Sequence, residues 1–86
     1  MPEISRFFGI VIKMFFDDHN PPHFHAFYGE HEVLIDINHL AVFAGSLPPR
    51  VLGLVIEWAT LHQVELLDDW TRAKGLQSLK RIDPLQ

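Results

Sequence analysis

Two runs of alternating residues flank the dipeptide Gly29-Glu30, and this pattern constrains the fold more than any other feature of the 86-residue chain. Glycine in the first position of a two-residue loop accepts φ > 0, which suits a type II′ hairpin. Pairing Tyr28 with His31 sets Ala26 opposite Val33, His25 opposite Leu34, Phe24 opposite Ile35 and His23 opposite Asp36. Phe24, Ala26, Val33, Ile35 and Ile37 then share one face. His23, His25, Phe27, Glu32, Leu34 and Asp36 share the other. A slip of one residue would mix the two sets, so the alternation fixes the register and commits one face to a core.

The flanking segments extend this hairpin. Ile10 to Phe16 is β-branched and aromatic and stops at Asp17-Asp18-His19-Asn20-Pro21-Pro22, a strand followed by turn chemistry. With His23–Tyr28 and Glu32–Ile37 as the next strands, a two-residue turn at Asn38-His39 predicts a further strand from Leu40 to Gly45. That strand brings Val42 to the apolar face beside Ile35, and Phe43 to the histidine face beside Leu34. Ser46 can then cap a helix, with Pro48 and Pro49 in a first turn whose amides have no intrahelical partner. Leu52, Val55, Ile56, Ala59, Leu66, Trp70 and Ala73 recur at helical spacing up to Gly75. An unbroken helix from Pro48 to Lys74 would run about 40 Å, longer than the strands it covers, which predicts a bend or break near His62–Glu65. Leu79 to Ile82 is expected as a short edge strand ended by Pro84. The expectation is one α+β domain over residues 1–86. It consists of a small antiparallel sheet of about four strands with a C-terminal helical region packed on one face.

Composition narrows the function classes. The absence of cysteine excludes disulfides, zinc–thiolate sites and thiol nucleophiles, and agrees with a reducing compartment. The longest apolar stretch, Phe7 to Phe16, contains Lys13 and falls far short of the ~20 residues that cross a bilayer. No basic segment leads into an apolar one followed by a cleavage site, so a cytoplasmic location and no membrane partner are expected. The net charge of −4 disfavours an independent nucleic-acid binder, because phosphate contacts dominate such affinity. Arg72, Lys74, Lys80 and Arg81 nonetheless gather in the last fifteen positions.

The chemistry-bearing stretch is Asp17 to His25, with three histidines and two carboxylates in nine residues. His23 and His25, two apart on a strand, point the same way, and Asp36 is predicted across from His23. Three explanations fit. Imidazoles so spaced can share a divalent transition metal, with His19, Asp18 or Asp36 completing the shell. Alternatively, His23 and His25 act as proton donor and acceptor with Asp36 orienting one of them, Asp17, Asp18 and His19 in support, and Lys13 or Arg6 meeting a phosphate. In the third, these side chains only cap turns and occupy a wet or covered face. Phe27, Leu34 and Phe43 on that same face suggest an interaction surface, covered in a homodimer or by a partner protein.

These segments carry a resemblance. Ile4 to Ile12, Phe16-Asp17-Asp18-His19-Asn20-Pro21-Pro22-His23-Phe24-His25-Ala26, Ile35-Asp36-Ile37, Gly45-Ser46-Leu47-Pro48 and Glu57-Trp58-Ala59 make the whole chain similar to a small prokaryotic family known as domain of unknown function 4160. The resemblance implies a partner rather than a reaction. Such proteins are often encoded beside a second small protein and have been suspected of forming toxin–antitoxin-like pairs. The expected role is therefore an interaction module of a two-protein system. The alternative is a small histidine- or metal-dependent enzyme acting on nucleic acid or a phosphorylated substrate.

Overall fold

The computed structural model describes residues 3–16 and 18–86. Five strands, β1 (Glu3–Phe7), β2 (Ile10–Lys13), β3 (His23–Tyr28), β4 (His31–Asp36) and β5 (Ala41–Gly45), precede two helices, α1 (Pro49–Leu61) and α2 (Gln63–Lys74). The strands form one antiparallel sheet in the order β1-β2-β3-β4-β5, so each pairs with its sequence neighbour. The β3–β4 register is the one the alternation predicts, from Tyr28↔His31 through Phe24↔Ile35 to His23↔Asp36. Gly29 has φ +56° while Glu30 is not left-handed, as a type II′ turn requires.

Phe24, Ala26, Val33, Ile35 and Ile37 are fully buried with Ile10, Ile12 and Met14, and the helices close over them. The α1 stripe is Val51, Val55, Trp58 and Ala59, and the α2 stripe is Leu66, Asp69, Trp70 and Ala73. Trp58 joins the two layers, its ring 5.9 Å from Phe24 and 5.4 Å from Phe7. The break between the helices falls at His62, whose φ of −125° leaves the helical region. Gln63 Nε2 donates to the carbonyls of Ile37 (2.7 Å) and Asn38 (3.2 Å), pinning the break to the end of β4.

Several expectations need correction. The sheet has five strands because Glu3–Phe7 pairs with β2. Its alternation is hidden by a register shift between Glu3 and Ser5 that turns both Ile4 and Ser5 inward. Strand β2 ends at Lys13, short of Phe16. The β4–β5 connection spans residues 37–40, with Leu40 at φ +51° and its amide bonded to the Asp36 carbonyl at 2.7 Å. Val42 does face Ile35 in register, but a second irregularity in the β4–β5 pairing and the edge position leave it exposed. Pro48, not Ser46, occupies the N-cap of α1, without a side-chain cap. The tail forms no strand. It nevertheless lies on β1, where the Ile82 amide donates to the Ile4 carbonyl at 2.8 Å and Arg81 reaches Glu3. Among the described residues, no helix is long and apolar enough to cross a membrane.

Candidate functional site

Strand parity brings His23 and His25 together, and the loop from Phe16 to Pro22 supplies their carboxylate. Both imidazoles reach one oxygen: Asp18 Oδ2 is 2.9 Å from His23 Nε2 and 3.3 Å from His25 Nε2. The rings lie 5.3 Å apart. Each ring's other nitrogen is also engaged. His23 Nδ1 lies 2.7 Å from the Pro21 carbonyl, an acceptor only, so this nitrogen carries a proton and donates it. His25 Nδ1 lies 2.9 Å from Glu32 Oε2.

The wall around the pair is aromatic. Phe43 and Trp70 each lie 5.3 Å from the His23 ring, and Phe15 lies 4.6 Å from that of His25. Phe27 stacks on His25 at 6.2 Å and carries Lys13 Nζ 5.0 Å above its centroid. At its His23 end the histidine face is thus covered by the chain itself, where the alternation left it for solvent or a partner. His23 stands at the start of β3, where the loop and α2 close over the sheet end, and is only 5% exposed. Lys74 of α2 fastens that loop, its Nζ donating to the Asp18 carbonyl at 2.8 Å.

Burial pushes the Asp18 carboxyl up, but the His19 amide and the rings of His25 and His23 outweigh it and hold the carboxyl below its usual value. Asp36 is placed differently from expectation. It pairs with His23 through the backbone register, but its carboxylate caps the β4–β5 turn. Oδ1 accepts from the amides of Asn38 (2.8 Å) and His39 (3.2 Å), and Oδ2 is 3.1 Å from His39 Nδ1. The His39 ring hydrogen bond, and against burial the amides of His39 and Asn38, hold Asp36 below the usual carboxylate range. His19 is exposed and lies outside the cluster of Asp18, His23 and His25, while Asp17 lies outside the described residues. Of the apolar trio, Phe27 and Leu34 are half-buried and Phe43 is 47% exposed.

Sequence reasoning missed Glu32 as the partner of His25, although it placed both on one face. Leu34 is directly opposite His25, and Glu32 is the diagonal neighbour two residues along β4, a distance that a long side chain spans. Trp70 was assigned to the core stripe, and nothing in its spacing marks the second contact with His23.

A cleft of about 480 Å³ between α2 and the tail, lined by Asp68, Asp69, Lys80 and Arg81 among others, shares no residue with the histidine cluster. Buried Asp69 accepts the Lys80 amide on Oδ1 at 2.9 Å, while Oδ2 has no partner. Burial raises its carboxyl, opposed by the Lys80 amide, reinforced by the charge of Asp68, and opposed again by Arg72 and Lys80. A carboxyl raised on folding contributes stability fully below its unfolded value of 3.8 and loses it as pH rises through the raised value. Asp69→Asn should therefore stabilise the protein at about pH 7 by about 1 kcal/mol and have little effect near pH 4. Urea midpoints at both pH values check this, and an equal gap at the two would refute it.

No curated protein and no solved structure matches the chain. Residues 9–71, from the β1–β2 turn through most of α2, match the family model described as Domain of unknown function (DUF4160). With most of the sheet, the whole histidine loop, all of α1 and most of α2 inside that match, the chain belongs to the DUF4160 family.

Proposed function

We propose that the protein is an interaction module, one half of a two-protein, toxin–antitoxin-like system, and that it binds its small partner by accepting a strand on β5. The two edges of the sheet differ, and that contrast carries the proposal. Edge β1 lies under the chain's own tail, whereas all five residues of β5 (Ala41-Val42-Phe43-Ala44-Gly45) are exposed, apolar and uncharged. Natural sheets blunt free edges with lysine, proline, bulges or a cover. Beyond the irregularity near Phe43, β5 has none of these, and its free backbone groups with Val42 and Phe43 suit strand addition.

Where a small gene adjoins this one, its product is the candidate partner for the test. Binding should protect the amides of residues 41–45 from hydrogen exchange, and Val42→Lys should weaken affinity at least about tenfold without unfolding the domain. Full affinity in Val42→Lys, unchanged exchange at β5, or a homodimer that already occupies β5 would each count against the proposal.

The convergence of His23 and His25 on Asp18 favours a second reading, a small histidine- or metal-dependent enzyme acting on nucleic acid or a phosphorylated substrate. Against it stand the net charge of −4 and the engagement of Arg6 by Glu3 at 2.8 Å, which leaves Lys13 as the nearer cation for a phosphate.

A further inference from the structure

We infer that Asp18, His23 and His25 form a binding site for one divalent first-row transition-metal ion, ligated by one carboxylate oxygen and the two Nε2 atoms. This inference is independent of the β5 proposal. It begins with the proton inventory of the two rings. His23 donates its Nδ1 proton to the Pro21 carbonyl, so a neutral His23 turns a bare Nε2 lone pair toward Asp18 Oδ2 at 2.9 Å. His25 faces carboxylate oxygens from both nitrogens, at 2.9 Å from Glu32 and 3.3 Å from Asp18. Two imidazole Nε2 atoms thus converge on one carboxylate oxygen, with the rings 5.3 Å apart and His23 almost wholly buried. A metal ion placed between them takes the two Nε2 lone pairs, while each ring keeps the hydrogen bond already present on Nδ1.

The surroundings are those a metal-bound imidazole uses. Ligating histidines donate the free ring N–H to a carbonyl or a carboxylate, which fixes the tautomer and the ring orientation. The Pro21 carbonyl does this for His23 and Glu32 for His25. The distances also fit. Ligand atoms about 2.1 Å from a shared ion stand about 3.0 Å apart at a right angle and about 3.4 Å apart at the tetrahedral angle. The two Asp18–imidazole separations, 2.9 and 3.3 Å, lie close to these values. Two imidazoles and one carboxylate select zinc, iron(II), cobalt or nickel over magnesium and calcium, which prefer all-oxygen shells. Three protein ligands leave further positions for water or an anion. Entry is from the Asp18 side, because that side chain is 26% exposed against 6% for His23 and 13% for His25.

The test is titration of the untagged protein with Co²⁺, followed by its visible ligand-field bands and by calorimetry, then repeated with Zn²⁺. One ion per chain is expected. Asp18→Asn and His25→Gln should each weaken binding at least about tenfold, and Glu32→Gln should weaken it through the orientation of His25. His39→Gln, an exposed histidine outside the cluster, should bind as the parent does. Asp18 and His25 are chosen over buried His23 so that folding is preserved, and Zn²⁺ should also raise the melting temperature of the parent. The proposal is overturned by any of three results. These are no uptake at about 100 µM metal, undiminished uptake in either Asp18→Asn or His25→Gln, or equal loss in His39→Gln.

Discussion

Replacing Trp58 by alanine is expected to remove about 3–5 kcal/mol of stability, most of what a domain of this size possesses. The ring is fully buried and packs on Phe7 from β1, Phe24 from β3 and His62 at the helix break, with centroid distances of 5.4, 5.9 and 5.6 Å. A small domain has few such side chains, and no neighbour can fill a hole of that volume. Trp58 also secures the tail, its Nε1–H donating to the Asp83 carbonyl at 2.8 Å. Trp58→Phe separates the two roles: it keeps an aromatic ring but abandons the Asp83 carbonyl, at a cost of about 1–3 kcal/mol. Urea denaturation measures both variants, and hydrogen exchange at the Ile82 amide reports release of the tail from Ile4. A loss below about 1 kcal/mol in Trp58→Ala would contradict the packing described.

Gly45→Ala should be the most damaging single-methyl change, costing about 2–3 kcal/mol and loosening β5 before the rest of the sheet. Gly45 has φ +74°, a conformation that side chains disfavour, and an added Cβ would lie 2.1 Å from the Glu32 carbonyl oxygen. That oxygen accepts the Ser46 amide at 3.0 Å, so it cannot withdraw without breaking the exit from β5. A denaturation midpoint together with exchange rates at residues 41–45 checks the prediction. Intact protection of β5 in the variant would sink it. The same variant should lose the partner, since the acceptor strand would no longer hold its register.

The parts of the fold legible in the sequence are those where side-chain alternation and backbone chemistry agree. Phe24, Ala26, Val33 and Ile35 alternate without a break around Gly29, so faces and register follow from one turn. The helix break follows from a length that the sheet cannot match, and it falls at His62. Irregular pairing is where the reading failed. Ile4 and Ser5 both turn inward, which erased the two-residue period of β1, and the β4–β5 shift exposed Val42. For the candidate site, parity placed His23 and His25 side by side, but the choice among Asp18, His19 and Asp36 depends on loop conformation. Asp36 has two turn amides and His39 closer at hand than His23, and those hydrogen bonds take its carboxylate. Asp18 reaches the rings because the loop folds back under the hold of Lys74, a residue 56 positions away.

The tail over β1 sets a limit on stoichiometry. A sheet with two bare edges is a monomer in the polymer chemist's sense: each addition regenerates an acceptor, and growth continues into a filament. Here residues Arg81 and Ile82 occupy one acceptor from within the same molecule. If a partner strand adds at β5 as proposed, growth would terminate after that single step, giving a discrete pair with no further propagation. Freeing the tail from β1 would restore bifunctionality and turn a finite complex into a polymerising one.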